Sequence, residues 1–177
     1  YWLSGGRLKF EVLDSTFVRI DTDEGFSGWG EGCPWGHTYL PAHGPGVRAG
    51  IETMASSILG LDPRQTGPIN HQMDLALPGH LYAKAPIDIA CWDIAGQAAE
   101  LPIGELLGGR YPEPIPVASS ISTGTPREML ADIERYRTHG YRVHSAKVGA
   151  DALQDIERIR YLEAHREPDE VVFYDVN

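Results

Sequence analysis

Apolar positions in the last third of the chain alternate between two periods. Tyr141–Val148 and Val171–Asn177 are short β-rich runs, while Leu153, Ile156, Ile159 and Leu162 between them recur at helical spacing behind an Asp151 cap. Upstream, residues 116–122 (PVASSIS) are strand-like. Thr125-Pro126-Arg127-Glu128 has the form of a capping box with proline at the first helical position, and Met129, Leu130, Ile133 and Tyr136 make the buried stripe of the helix it opens. The order β-α-β-α-β predicts neighbouring parallel strands joined by crossover helices.

The first 110 residues follow a different pattern. Phe17–Asp21, the turn Thr22–Gly25 and Phe26–Gly30 read as an antiparallel hairpin. Three helical stripes follow: Val47/Ile51/Met54/Ile58, then Ile69/Met73/Ala76, then Ile87/Cys91/Ile94/Ala98. Pro86 is expected in the first turn of the third helix, where its missing N–H costs little. Mid-helix Asp88 and Asp93 are expected to be paired or solvated. Residues 110–116 (RYPEPIP) hold three prolines in seven positions, and the domain boundary is placed there. The expected organisation is an N-terminal α+β domain over residues 1–110 and a parallel β/α domain over 111–177.

The two last strands end in polar groups. Alternation puts Ser145 and Lys147 on one face of the first, and Asp175 and Asn177 on one face of the second. A lysine and a carboxylate at the carboxyl ends of adjacent parallel strands occupy the place where α/β folds carry their chemistry. The Gly- and Pro-rich stretch from Gly32 to Gly46 is long enough to be a binding loop, and Trp35, His37 and Tyr39 are its candidate ligand contacts.

A net charge of −10 excludes nucleic acid as the expected partner, since phosphate binding needs basic stripes. It leaves room for an anionic small molecule, because a bound divalent cation reverses the local sign. No apolar run reaches membrane-spanning length. Two cysteines, Cys33 and Cys91, fit a reducing compartment, so a cytoplasmic protein is expected. The chain opens without methionine, and a (β/α)8 barrel needs about 250 residues; both lead us to expect the front part of a longer, truncated chain.

Four stretches carry a family resemblance. They are GWGEG (residues 28–32), APIDIACWDIAGQ (85–97) running into LPIGELLGG, SAKVG (145–149) and YDVN (174–177). Together they resemble the enolase superfamily in its mandelate racemase/muconate lactonizing branch. The Gly32 loop looks most like members acting on proline betaines or hydroxyprolines. The resemblance implies an α+β capping domain followed by the first β/α units of a TIM-like barrel, with Mg²⁺ held by three carboxylates of which only Asp175 is present here. It implies that Lys147 is the general base, matching the second lysine of a Lys-x-Lys motif whose first lysine is Ser145 in this chain. Ser145, Asn177, Trp35, His37 and Tyr39 are the implied substrate contacts. The implied reaction removes the proton α to the carboxylate of a small molecule through an enediolate, giving racemisation or epimerisation, in a homo-oligomer. Dehydration, cycloisomerisation and a non-catalytic βαβ binding module stand as alternatives.

Overall fold

The structure, a computed structural model, describes residues 2–3, 8–9, 11–35 and 40–176; His37, Tyr39 and Asn177 lie outside the described residues. The chain divides into two compact units, Val12–Pro112 and Glu113–Asn177, the latter together with Tyr1–Glu11. Strands β1 (Trp2–Leu3) and β2 (Leu8–Lys9) pair antiparallel.

In the unit Val12–Pro112, β3 (Thr16–Asp21) and β4 (Ser27–Gly32) form the expected antiparallel hairpin, with Arg19 opposite Trp29. Helices α1 (Gly44–Ile58), α2 (Thr66–Ala76) and α3 (Leu81–Ala99) follow, then the short α4 (Ile103–Leu106). Met54, Ile69, Met73, Ala83, Ile87 and Cys91 make the core, with Val18 and Ile20 packed on it from the sheet. Glycines at alternate β4 positions permit this packing. A Cβ on Gly28 would collide with the Ala90 carbonyl oxygen, and one on Gly30 with that of Pro86. Side chains alternate across a strand, so Trp29 and Glu31 between them face outward and are exposed.

Helix α3 departs from expectation at its start. It begins at Leu81, which puts Pro86 inside the helix rather than in its first turn. Proline there has no N–H to give the Tyr82 carbonyl four residues back. The Tyr82 oxygen instead lies where β4 passes, 2.8 Å from the position of a Cβ on Gly32. The acids of α3 are paired, as expected: Asp88 accepts from Asn70 Nδ2 at 2.6 Å, and Asp93 accepts from the Trp29 N–H at 2.9 Å.

The unit containing Glu113–Asn177 is a parallel sheet in the order β5 (Ala118–Ile121), β6 (Val143–Lys147), β7 (Val171–Asp175), with crossover helices α5 (Pro126–Arg137) and α6 (Ala152–Ala164). Thr125 and Glu128 form the complete capping box of α5. Ile121, Met129, Leu130, Ile133, Ala146 and Leu162 form the core between sheet and helices.

Helix α6 corrects its expected stripe. Leu162 is buried, but Leu153 is 79% exposed and Ile156 44% exposed. The buried positions facing the loops at the strand ends are Asp155 and Arg158, spaced as a helical i, i+3 pair. A buried ion pair with full hydrogen bonding therefore occupies a face that apolar periodicity assigned to leucine and isoleucine.

Candidate functional site

Strand register decides which polar ends meet. Residue 147 of β6 lies directly opposite residue 175 of β7, and Ser145 lies opposite Phe173 one pleat earlier. Alternation sends His144 and Ala146 into the core under the helices, so Ser145 and Lys147 project from the other face. Lys147 Nζ donates to Asp175 Oδ2 at 2.5 Å. The lysine side chain is 14% exposed and the aspartate 37%, so the pair is sheltered yet open on the carboxylate side. Charge-assisted bonds of this length in a partly desolvated setting are the stronger kind.

The surrounding backbone is held from several directions. Thr123 Oγ1 donates to the Lys147 carbonyl at 3.1 Å, and the Val148 N–H donates to the Asp175 carbonyl at 3.0 Å. From α6, Asp155 Oδ2 accepts the Gly149 N–H at 2.9 Å. Burial works against the Asp155 carboxylate, but the Gly149 N–H and the Arg158 guanidinium outweigh it and hold its carboxyl below the ordinary range.

At the opposite, amino-terminal end of the same strands lies a second buried polar group. Arg137 makes a two-pronged bond to Glu170, at 2.6 and 2.8 Å. This guanidinium holds the Glu170 carboxyl at about 2 against the cost of burial. His144 bonds Ser119 through Nδ1 at 2.7 Å, and its Nε2 lies 3.4 Å from Glu170 Oε1. Burial pushes the His144 imidazole down. These groups sit away from the carboxyl ends of the strands and tie β6 and β7 to α5.

Of the sequence-derived site residues, the structure brings Lys147 and Asp175 into contact, with Ser145 on the same face as Lys147. Trp35 is half-buried and belongs to the unit Val12–Pro112. His43 caps α1 by accepting the Gly46 N–H at Nδ1. Both cysteines are free thiols, and burial pushes the Cys91 thiol up to about 11. A cleft in the unit Val12–Pro112 is rimmed by Glu24, Asp62 and Arg64, and Arg64 pairs with both acids. The residues that apolar periodicity passed over are Asp155 and Arg158; their only sequence signal is an acid and an arginine three apart on a helix.

Residues 12–108 match the sequence profile of the mandelate racemase / muconate lactonizing enzyme N-terminal domain, which is more than half of the chain. The chain belongs to this family. Among mandelate racemase/muconate lactonizing relatives, cis-3-hydroxy-L-proline dehydratase of Roseibium aggregatum is 44% identical over 99% of the chain and 47% of the relative. N-succinyl-L-Arg/Lys racemase of Bacillus cereus is 32% identical over 96% of the chain and 46% of the relative. A solved member of the enolase superfamily from Roseovarius nubinhibens ISM, complexed with magnesium, is 60% identical with a TM-score of 0.90, over 99% of this chain and 47% of that one. The chain thus spans about half the length of the curated relatives it matches, covering the capping domain and the first β/α units of the barrel. No helix among the described residues is long and apolar enough to cross a membrane.

Proposed function

We propose that this chain carries the proton-abstracting lysine and one metal-binding carboxylate of an enolase-superfamily enzyme acting on a small carboxylate. The observation that carries the reading is the 2.5 Å pairing of Lys147 and Asp175 from strands in direct register. Lys147 takes the proton α to the substrate carboxylate, and the C–H electron pair passes into that carboxylate. The ammonium so formed is held by Asp175. Asp175 is a hard oxygen donor with a side chain 37% exposed, which suits Mg²⁺, and it is the one carboxylate ligand this reading takes from the chain. When bound, the cation supplies Lewis-acid stabilisation of the negative charge gathering on the substrate.

Return of a proton to the opposite face gives racemisation or epimerisation of an amino-acid derivative such as a proline betaine or hydroxyproline. The ring of Trp35, with His37 and Tyr39 from the same stretch of sequence, suits a cationic nitrogen. Ser145 and Asn177 complete the proposed substrate contacts. Departure of a β-hydroxyl as water gives dehydration instead. The 44% identity to a hydroxyproline dehydratase favours this second outcome as a specific alternative.

The test is exchange of the substrate α-proton in deuterated solvent, followed by NMR with N-methylated prolines and hydroxyprolines on the full-length protein with Mg²⁺. Lys147→Ala is expected to abolish exchange on one face. Exchange retained on both faces removes Lys147 as a base. Loss of the C–H signal of the hydroxyl-bearing carbon, against inversion with that signal kept, separates dehydration from epimerisation.

A further inference from the structure

We propose that Asp155 and Arg158 of α6 are positioning residues that hold the carboxyl ends of β5, β6 and β7 together, and through them set the Lys147–Asp175 geometry. The proposal rests on the functional reading of that pair.

Both residues are buried, at 8% and 9% exposure. Arg158 Nη1 donates to Asp155 Oδ1 at 2.7 Å, and Arg158 Nε donates to the Gly124 carbonyl beyond β5 at 2.8 Å. Arg158 Nη2 donates to Gln154 Oε1 at 3.2 Å. The other oxygen of Asp155 accepts the Gly149 N–H, two residues past Lys147. Gly149, at φ +103°, lies against the backbone of Val176, the residue after Asp175; a Cβ there would come within 3.2 Å of the Val176 oxygen. One buried ion pair therefore links the chain just past β5 to the chain just past β6, which packs on the chain just past β7.

A buried ion pair is poor value for stability alone, because desolvation offsets most of its attraction. Its use here is geometric. Carbonyl and amide groups at loop starts have no ladder partner, and Asp155 and Arg158 supply one to each of two loops. Lys147 and Asp175 project from the segments so held, and small displacements of reacting groups cost large factors in rate.

The experiment uses the full-length protein and two variants, Arg158→Met and Arg158→Lys. The first readout needs no substrate: the rate of amine acetylation at Lys147 under trace labelling, with Lys84 in the other unit as internal control. Lys84 is buried and bonded to Asp74, so it reports general loosening. In Arg158→Met, labelling of Lys147 is expected to rise about fivefold or more with Lys84 unchanged, and Arg158→Lys is expected to restore most of the protection. The second readout is α-proton exchange, expected to fall about tenfold or more in kcat with KM little changed. Lys147 labelling that stays at the wild-type rate, or rises only in step with Lys84, overturns the proposal. So does faster Lys147 labelling with kcat intact. If the wild-type protein exchanges no substrate proton, the functional reading fails while the labelling result still decides whether Asp155 and Arg158 hold the strand ends.

Discussion

Single atoms decide much of the capping unit. Gly28 and Gly30 let α3 ride directly on β4, with carbonyls of Ala90 and Pro86 in the space any Cβ would occupy. Gly30→Ala must displace backbone rather than a flexible side-chain end, and we expect a loss of about 1–3 kcal/mol in urea unfolding. Gly67→Ala is the matched control. Gly67 lies in α2 with nothing within 4 Å of its Cβ position, so alanine is expected to be neutral or to stabilise by about 0.5–1 kcal/mol. Equal effects at the two sites would refute the close-approach explanation of the GWGEG glycines.

Elements begin and end where local side chains satisfy backbone groups. At α5, Thr125 Oγ1 accepts the Glu128 N–H at 3.3 Å, while Glu128 Oε2 accepts the Thr125 N–H at 2.8 Å. Thr125→Ala is expected to cost about 1 kcal/mol and Thr125→Ser almost nothing, measured by denaturant midpoint at constant slope. A Ser variant as unstable as the Ala variant would place the effect in the lost methyl rather than the cap. Capping boxes are legible because they act over four residues. The buried face of α6 was not, since its ion pair bonds the backbone of two loops, Gly124 being 34 residues away in sequence. The interior position of Pro86 escaped for the same kind of reason: helix α3 starts earlier than its proline suggests because β4 and the core hold its first turn.

Across the parallel unit, buried charges set the acid response. The Glu170 carboxyl falls from 4.5 to about 2, and its side chain is fully buried. A depressed carboxyl contributes stability present above pH 4.5 and lost as pH falls through about 2, on the order of 3 kcal/mol in all. The His144 imidazole also falls, from 6.5, so the fold prefers it neutral. Its contribution is present above pH 6.5 and lost as pH drops below that value. Stability is therefore expected to be flat from pH 8 to 7 and to decline in two stages. His144→Asn should erase the difference between pH 7 and pH 5 while leaving the steeper loss below pH 4.5, as read by urea midpoints at each pH. An unchanged first stage in that variant would assign it to other groups.

Local pattern by itself determined the two kinds of architecture, the hairpin, the caps and the order β-α-β-α-β, because each depends on periodicity or on contacts within a few residues. It also placed Lys147 and Asp175 on strand ends, since alternation and short strands leave few other choices. Only the tertiary structure decided that residues 147 and 175 stand in direct register, that Asp155 and Arg158 are buried beneath them, and that Leu153 and Ile156 are not. Those outcomes depend on hydrogen bonds and desolvation between segments far apart in the chain, where no local spacing carries the information.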